Sequence, residues 1–174
     1  MDLTADFFAL FDLPRSFGIN LSELDSRYRD IQAQVHPDRF AKASEVERRL
    51  SMQWATHANE AYQTLKKPLA RARYLLHLAG QDIQAESNTA MPMDFLMTQM
   101  EWREAVMEAR EGRDHHELEH LHNRLSGDIR ARYDELAGLI EQADYNLATD
   151  RVRRLMFLEK LLYEIDDALA SLDD

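Results

Sequence analysis

Two short stretches of the sequence carry residue types that could do chemistry. Residues 114–122 read DHHELEHLH and contain His116-Glu117-Leu118-Glu119-His120, a match to the H-E-x-x-H pattern. On a helix that spacing sets two imidazoles one turn apart, where they can share a zinc ion while the Glu activates a bound water. Residues 36–38 read His-Pro-Asp. Proline fixes its own φ and bars helical dihedrals for the residue before it, so His36 and Asp38 would be displayed in a preset geometry. Such a tip suits recognition of a partner, because preorganisation lowers the cost of ordering. An ordinary loop with a His C-cap and an Asp turn residue would use the same residues. On residue frequency alone either pattern arises in roughly one chain in a hundred of this length, so rarity cannot choose between them and the surrounding elements must decide.

The chain has 174 residues, enough for one ordinary domain or two small ones, and its 45% apolar content supports a packed core. It has no cysteine, which excludes disulfides, thiolate metal sites and cysteine nucleophiles in this chain. The opening MDLTADFFALFDL has no basic n-region, and no apolar run approaches membrane-spanning length, so a cytoplasmic protein is expected. A net charge of −11 argues against broad binding to nucleic acid or anionic membranes. Residues 1–79 carry 11 Lys/Arg against 10 Asp/Glu, whereas residues 80–174 carry 10 against 22. A step from +1 to −12 suggests two units with different partners.

With five Gly, four Pro and no β-branched runs, the sequence predicts an all-α protein. A short helix around residues 6–12 ends near Leu13-Pro14. Asn20 and Glu23 have capping-box spacing, and the helix they open carries Leu24, Tyr28, Ile31 and Val35 on one stripe. Pro37 requires that helix to stop at His36. Ser44 and Glu47 form a second capping box, opening a helix with Val46, Leu50, Trp54, Ala58, Ala61 and Leu65 turned inward. Pro68 suits the first turn of a helix over 68–79 that Gly80 closes. Residues 81–93 lack helical periodicity and read as a linker. Three helices follow, the first capped by Asp94 and broken by Gly112, the second running from Asp114 to about Gln142. The third ends near Leu172, and the short connections imply an antiparallel bundle.

In the helix opening at Asp114, the apolar stripe is Leu118, Leu121, Leu125, Ile129, Leu136 and Ile140. At about 100° per residue, His116 and His120 fall on the opposite side, toward solvent, where a protease would lack its partly dry cavity. Asp114 and Glu117 also have capping spacing, which gives Glu117 a structural task. The pentapeptide is therefore read as a solvated polar helix start, with no metal site, no catalytic residue and no cofactor; a zinc-dependent hydrolase is the alternative.

His36-Pro37-Asp38, by contrast, lies between two amphipathic helices, at the polar tip of a helical hairpin. The segments DFFALFDLP, YRDIQAQVHPDRF and ANEAYQTLKKPLARARYLL resemble a J-domain, the module by which co-chaperones stimulate ATP hydrolysis by DnaK-type chaperones. The PLARARYLL tail and the acidic helical second half narrow the resemblance to the HscB family, co-chaperones of iron–sulfur cluster assembly, over essentially the whole chain. General J-proteins such as DnaJ continue instead into Gly/Phe-rich and cysteine zinc segments. The resemblance implies a J-domain over 1–80, a linker over 81–93 and a scaffold-binding bundle over 94–174. It implies a specialised DnaK-type chaperone, HscA, as one partner and the scaffold IscU as the other. His36, Pro37 and Asp38 would then be the trigger, supported electrostatically by Arg27, Arg29 and Arg39, with Asp38 meeting an arginine of the chaperone. Asp30 offsets Arg29, and Ala33 stands at a solvent-facing position, so this basic face is sparse. A J-protein with other clients is the runner-up, and the oligomeric state stays open.

The second half carries a clue of its own. In the helix after Asp94, Phe95, Trp102, Val106 and Ala109 share one face, while Leu96, Met97, Met100 and Met107 line the other. A bundle helix buries one stripe, so the second should be exposed or bound, unless a wider core swallows both. In the last helix the expected stripe is Leu155, Leu158, Leu162, Ile165 and Leu169, which leaves Phe157 on the opposite side. Methionines beside an outlying aromatic make an adaptable docking surface. The resemblance places scaffold binding at Leu96, Met97, Met100, Glu101, Glu104 and Phe157. The apolar residues would anchor the partner and the acids would orient it.

Overall fold

Helix propensity and capping account for where each element begins and ends in the computed structural model, which describes residues 5–40, 43–83 and 91–173. Among these residues every regular element is helical, as the composition predicts. The chain divides into two compact units, Met1–Ala79 and Gly80–Asp174.

The first unit holds α1 (Phe7–Leu10), α2 (Leu21–Val35), a 3₁₀ turn at Pro37–Phe40, α3 (Glu45–Lys66) and α4 (Pro68–Leu78). Asp6 caps α1 by accepting from the Phe8 and Ala9 amides, and Asn20 caps α2 through Ser22 and Glu23. The Glu23 carboxylate faces Arg27 at 3.5 Å. At α3 both halves of the expected capping box form, with Ser44 Oγ accepting from the Glu47 amide and Glu47 accepting from the Ser44 amide. α2 and α3 form the hairpin, and Leu24, Ile31 and Val35 meet Trp54, Ala58, Ala61 and Leu65 in its seam. Beside the seam, Tyr28 stacks on Tyr62 with ring centroids 4.0 Å apart. α4 closes the unit with Ala72, Leu75 and Leu76 buried. Its Arg71 is also buried; Nη1 donates to the Leu65 carbonyl at 2.6 Å, and the guanidinium covers the Phe17 ring. That arginine satisfies an oxygen the end of α3 would otherwise leave without an intrahelical donor.

One expectation fails here. Val46 and Leu50 point outward, 76% and 47% exposed. Ser51 is the residue of α3 level with the last residue of α2, since its hydroxyl bonds the Val35 carbonyl. The six residues of α3 before it therefore extend past the end of the partner helix, where an apolar stripe has little to pack against.

The second unit holds α5 (Met93–Glu111), α6 (His115–Glu141) and α7 (Tyr145–Asp173). Residues 84–90, the middle of the expected linker, lie outside the described residues. α5 starts at Met93 with Pro92 as N-cap, so Asp94 is not the cap; it sits in the first turn, where its charge opposes the helix dipole. α6 runs against both neighbours, while α5 and α7 run parallel, as Phe95 meeting Phe157 and Arg103 meeting Glu164 require. On α7 the buried stripe is Ala148, Val152, Leu155, Leu158, Leu161, Ile165 and Ala168. Leu161 and Ala168 thus take the places expected for Leu162 and Leu169, which are half-buried. α7 is clasped by α5 on one side and α6 on the other, and the doubly covered arc is wider than one narrow seam.

The two turns of this bundle share one design. After α5, the Arg113 amide donates to Arg110 and the Asp114 amide to Ala109; after α6, Ala143 donates to Ile140 and Asp144 to Leu139. This is the Schellman closure, which needs a left-handed residue, usually glycine. Here Arg113 (φ 52) and Ala143 (φ 56) take that conformation, so Gly112 ends α5 one place earlier than the left-handed site. Each aspartate then turns to the next helix, Asp114 accepting from the Glu117 amide and Asp144 from the Leu147 amide.

Candidate functional site

The His-Pro-Asp segment is held at the tip of the α2–α3 hairpin from several directions. His36 caps α2 with φ −58 and ψ 130, the extended conformation that a following proline demands. The Arg39 amide donates to the His36 carbonyl at 3.0 Å, closing the turn. The Asp38 amide donates to His36 Nδ1 at 3.3 Å, which leaves the proton of the neutral ring on Nε2. The Asp38 carboxylate itself points away, 91% exposed and 3.6 Å from His36 Nδ1 at its nearer oxygen. At the base of the turn, Ser51 Oγ fixes the Val35 carbonyl at 2.7 Å. A hollow lined by Val35, Phe40, Leu50 and Trp54 adjoins it.

The three arginines assigned to electrostatic support behave differently. Arg29 is exposed on the outer face of α2. Arg27 pairs with Asp12 at 3.3 Å and Glu23 at 3.5 Å, so part of its charge is neutralised within the unit. Arg39 folds back so that Nη1 donates to the Ala33 carbonyl at 3.1 Å. Its guanidinium thereby covers the position that the sequence leaves without charge, one helical turn beyond Arg29. Sequence spacing could not show this, because the bond spans the turn.

On the second unit, α5 presents the predicted second face. Met97 and Met100 are 57% and 70% exposed, and Met93 and Met107 lie open beside them. Leu96 is half-buried, Glu101 and Glu104 are exposed, and Phe157 of α7 joins the strip with its ring edge-on to Phe95, centroids 6.0 Å apart. The core face of α5 buries Phe95, Val106 and Ala109. Trp102 is half-buried beneath the Arg124 guanidinium, 4.7 Å from the ring centroid. Sequence reasoning missed Gln99, which is 2% exposed on that core face and has no hydrogen-bond partner at either amide atom among the described residues.

The pentapeptide HELEH opens α6 with His116 and His120 both exposed. His120 Nδ1 lies 3.7 Å from Glu117, and His115 Nδ1 lies 3.8 Å from Glu119, as expected for neighbours along a polar helix face. Among the described residues, no three His, Asp or Glu side chains converge to hold a metal ion. No helix among them is long and apolar enough to cross a membrane.

An all-α chain with a His-Pro-Asp turn at the tip of a two-helix hairpin, followed by an acidic three-helix bundle, is a J-domain co-chaperone in its architecture. Comparison with known proteins narrows the class. Residues 91–166 match the family model described as the HSCB C-terminal oligomerisation domain. The chain is 56% identical to the Co-chaperone protein HscB homolog of Aromatoleum aromaticum, over 99% of this chain and 98% of the relative. It is 53% identical to the homolog of Azoarcus sp. BH72, over 100% and 99%. Among solved structures, chaperone HscB from Vibrio cholerae superposes with a TM-score of 0.88 at 36% identity, covering 97% of this chain and 99% of that one. Human co-chaperone HscB gives 0.90 at 30% identity, covering 95% and 83%. The chain belongs to the HscB family of co-chaperones.

Proposed function

We propose that this chain couples two partners: it stimulates the ATPase of a specialised DnaK-type chaperone, HscA, and delivers the iron–sulfur scaffold IscU to it in the cytoplasm. The observation that carries the reading is the Asp38 carboxylate, fully presented on a turn whose backbone is fixed at His36 and Val35. Such a group can meet an arginine of the chaperone in a charge-assisted bond with little further ordering. Arg29 and the folded-back Arg39 supply positive charge beside it for an acidic chaperone surface. In this reading no residue of the chain performs chemistry on a substrate; the hydrolysis is the chaperone's. Leu96, Met97, Met100 and Phe157 would anchor the scaffold on the second unit, with Glu101 and Glu104 orienting it.

The test is the steady-state ATPase of HscA with this protein, with and without IscU. Wild type should stimulate, and the scaffold should stimulate further. Asp38→Asn should lose the stimulation with its circular dichroism and melting temperature unchanged, because the side chain is 91% exposed. Normal stimulation by that variant would end the trigger assignment.

A further inference from the structure

Three arginines stand close together near the start of α7, and the bundle treats them unequally. Arg151 Nε donates to Glu135 at 2.9 Å and its Nη1 to Asp150 at 3.0 Å; Arg154 Nε donates to Asp150 at 2.9 Å and its guanidinium covers the Phe95 ring. Arg153 makes no ion pair among the described residues, and its Nε is buried without an acceptor. Other arginines of the unit also lack a carboxylate, but among its described residues Arg153 is the arginine with a buried nitrogen that has no acceptor. The buried Nε holds the guanidinium in place, and its Nη atoms, which make no bond among the described residues, are left for an acceptor from outside the chain.

The position of Arg153 says what that group accompanies. It precedes Phe157 by one helical turn, so the two side chains are neighbours on one face of α7. Phe157 leans on Phe95 of α5, and α5 and α7 run parallel. Arg153 therefore stands at the α7 edge of the Met93, Leu96, Met97 and Met100 strip, toward its N-terminal end. At about 100° per residue, Glu108 and Glu101 fall beyond Met97, away from α7, and Glu104 falls between Met93 and Met97. The face is thus ordered across its width: a cation on α7, an apolar strip in the middle, the carboxylates of Glu101 and Glu108 beyond it.

We propose that Arg153 binds a carboxylate of the scaffold, so that the face fixes the direction in which the cargo lies as well as its affinity. The inference rests on the scaffold-binding reading of the α5 face. The partner segment must place an acidic side chain at the α7 edge, apolar side chains on the methionine strip and basic ones along the far edge of α5. A partner docked in the reverse sense would set like charges against each other at both edges, which is how charge pattern selects orientation.

The experiment measures binding of purified IscU to the full-length chain by titration calorimetry, using Arg153→Gln, Arg153→Glu and Leu96→Ala/Phe157→Ala. Arg153→Gln should weaken binding by several-fold and Arg153→Glu by more than about tenfold, with the loss shrinking in high salt. Reversing one acid of the scaffold to Lys should restore binding to Arg153→Glu while weakening binding to wild type. If Arg153→Glu binds as wild type does while Leu96→Ala/Phe157→Ala does not, the proposal fails and the cargo face stands. If none of the variants changes affinity, the face itself is wrongly assigned. Should Arg153→Glu lower the melting temperature, Arg153→Gln and the scaffold reversals decide. Loss of binding that no scaffold reversal rescues would make Arg153 a structural residue and overturn the proposal.

Discussion

Ser51 Oγ donates to the carbonyl of Val35 across 2.7 Å, in a buried bond between the body of α3 and the last residue of α2. The acceptor is one of the helix-end oxygens that has no intrahelical donor. Because His36 follows directly, this bond sets the height at which the His-Pro-Asp turn leaves the hairpin. Ser51→Ala should cost about 1–3 kcal/mol in urea denaturation, since it leaves a buried carbonyl unpaired. A cost near that of an ordinary surface substitution, below about 0.5 kcal/mol, would mean the oxygen finds water instead.

Gln99 presents the opposite case, a polar side chain buried in the bundle with both amide atoms unpartnered among the described residues. Gln99→Met keeps the length of the side chain and removes the unsatisfied groups. The variant should be more stable by about 1–3 kcal/mol, read as a raised melting temperature. A lowered melting temperature would indicate that an ordered water satisfies the amide.

Ala143 holds a left-handed φ of 56 at the closure of α6. A side chain at such a position crowds the following carbonyl, and glycine does not. Ala143→Gly should therefore stabilise the chain by about 1 kcal/mol even though it loosens the unfolded state. Gly80, with φ +76, should respond in the reverse sense, with Gly80→Ala destabilising. Equal and opposite failure at both sites would overturn the conformational explanation.

Asp6 caps α1 and meets Arg15 Nη2 at 2.6 Å. Burial pushes its carboxyl up, but the Ala9 amide, the Arg15 guanidinium and the Phe8 amide together hold it below its ordinary value of 3.8. A depressed folded-state pKa gives stability that is present in full above the unfolded value and is lost as pH falls through the folded one. Asp6→Asn should be less stable than wild type near neutrality, and the gap should narrow below about pH 4. Denaturation midpoints of both proteins across that range check it; a gap independent of pH would remove Asp6 from the acid-sensitive groups.

How far the sequence could be read depended on whether a feature is local. Ser44 and Glu47 encode both halves of a cap three residues apart, and Pro37 dictates the conformation of His36, so these were legible. Periodicity also found the exposed face of α5, because it separates Phe95, Val106 and Ala109 from Met97, Met100 and Met107 along one helix. It could not tell that Val46 and Leu50 overshoot the end of α2, since the relative height of two helices is set by Ser51 meeting Val35. Nor could it choose Leu161 over Leu162, because the buried arc of α7 depends on two neighbours. Arg39 covering Ala33 and Arg153 lacking an acid are tertiary facts, and no spacing along the chain announces either one. The His-Pro-Asp residues were found by pattern, but only the structure shows how their backbone is held.

Asp114 and Asp144 each close one helix with a backbone amide and open the next with a carboxylate. The consequence is kinetic. Both reversals of the chain are encoded within a few residues, so each hairpin of the bundle can form before any distant contact is made. Loop closure then adds little to the barrier, and helical units built from such local contacts fold rapidly.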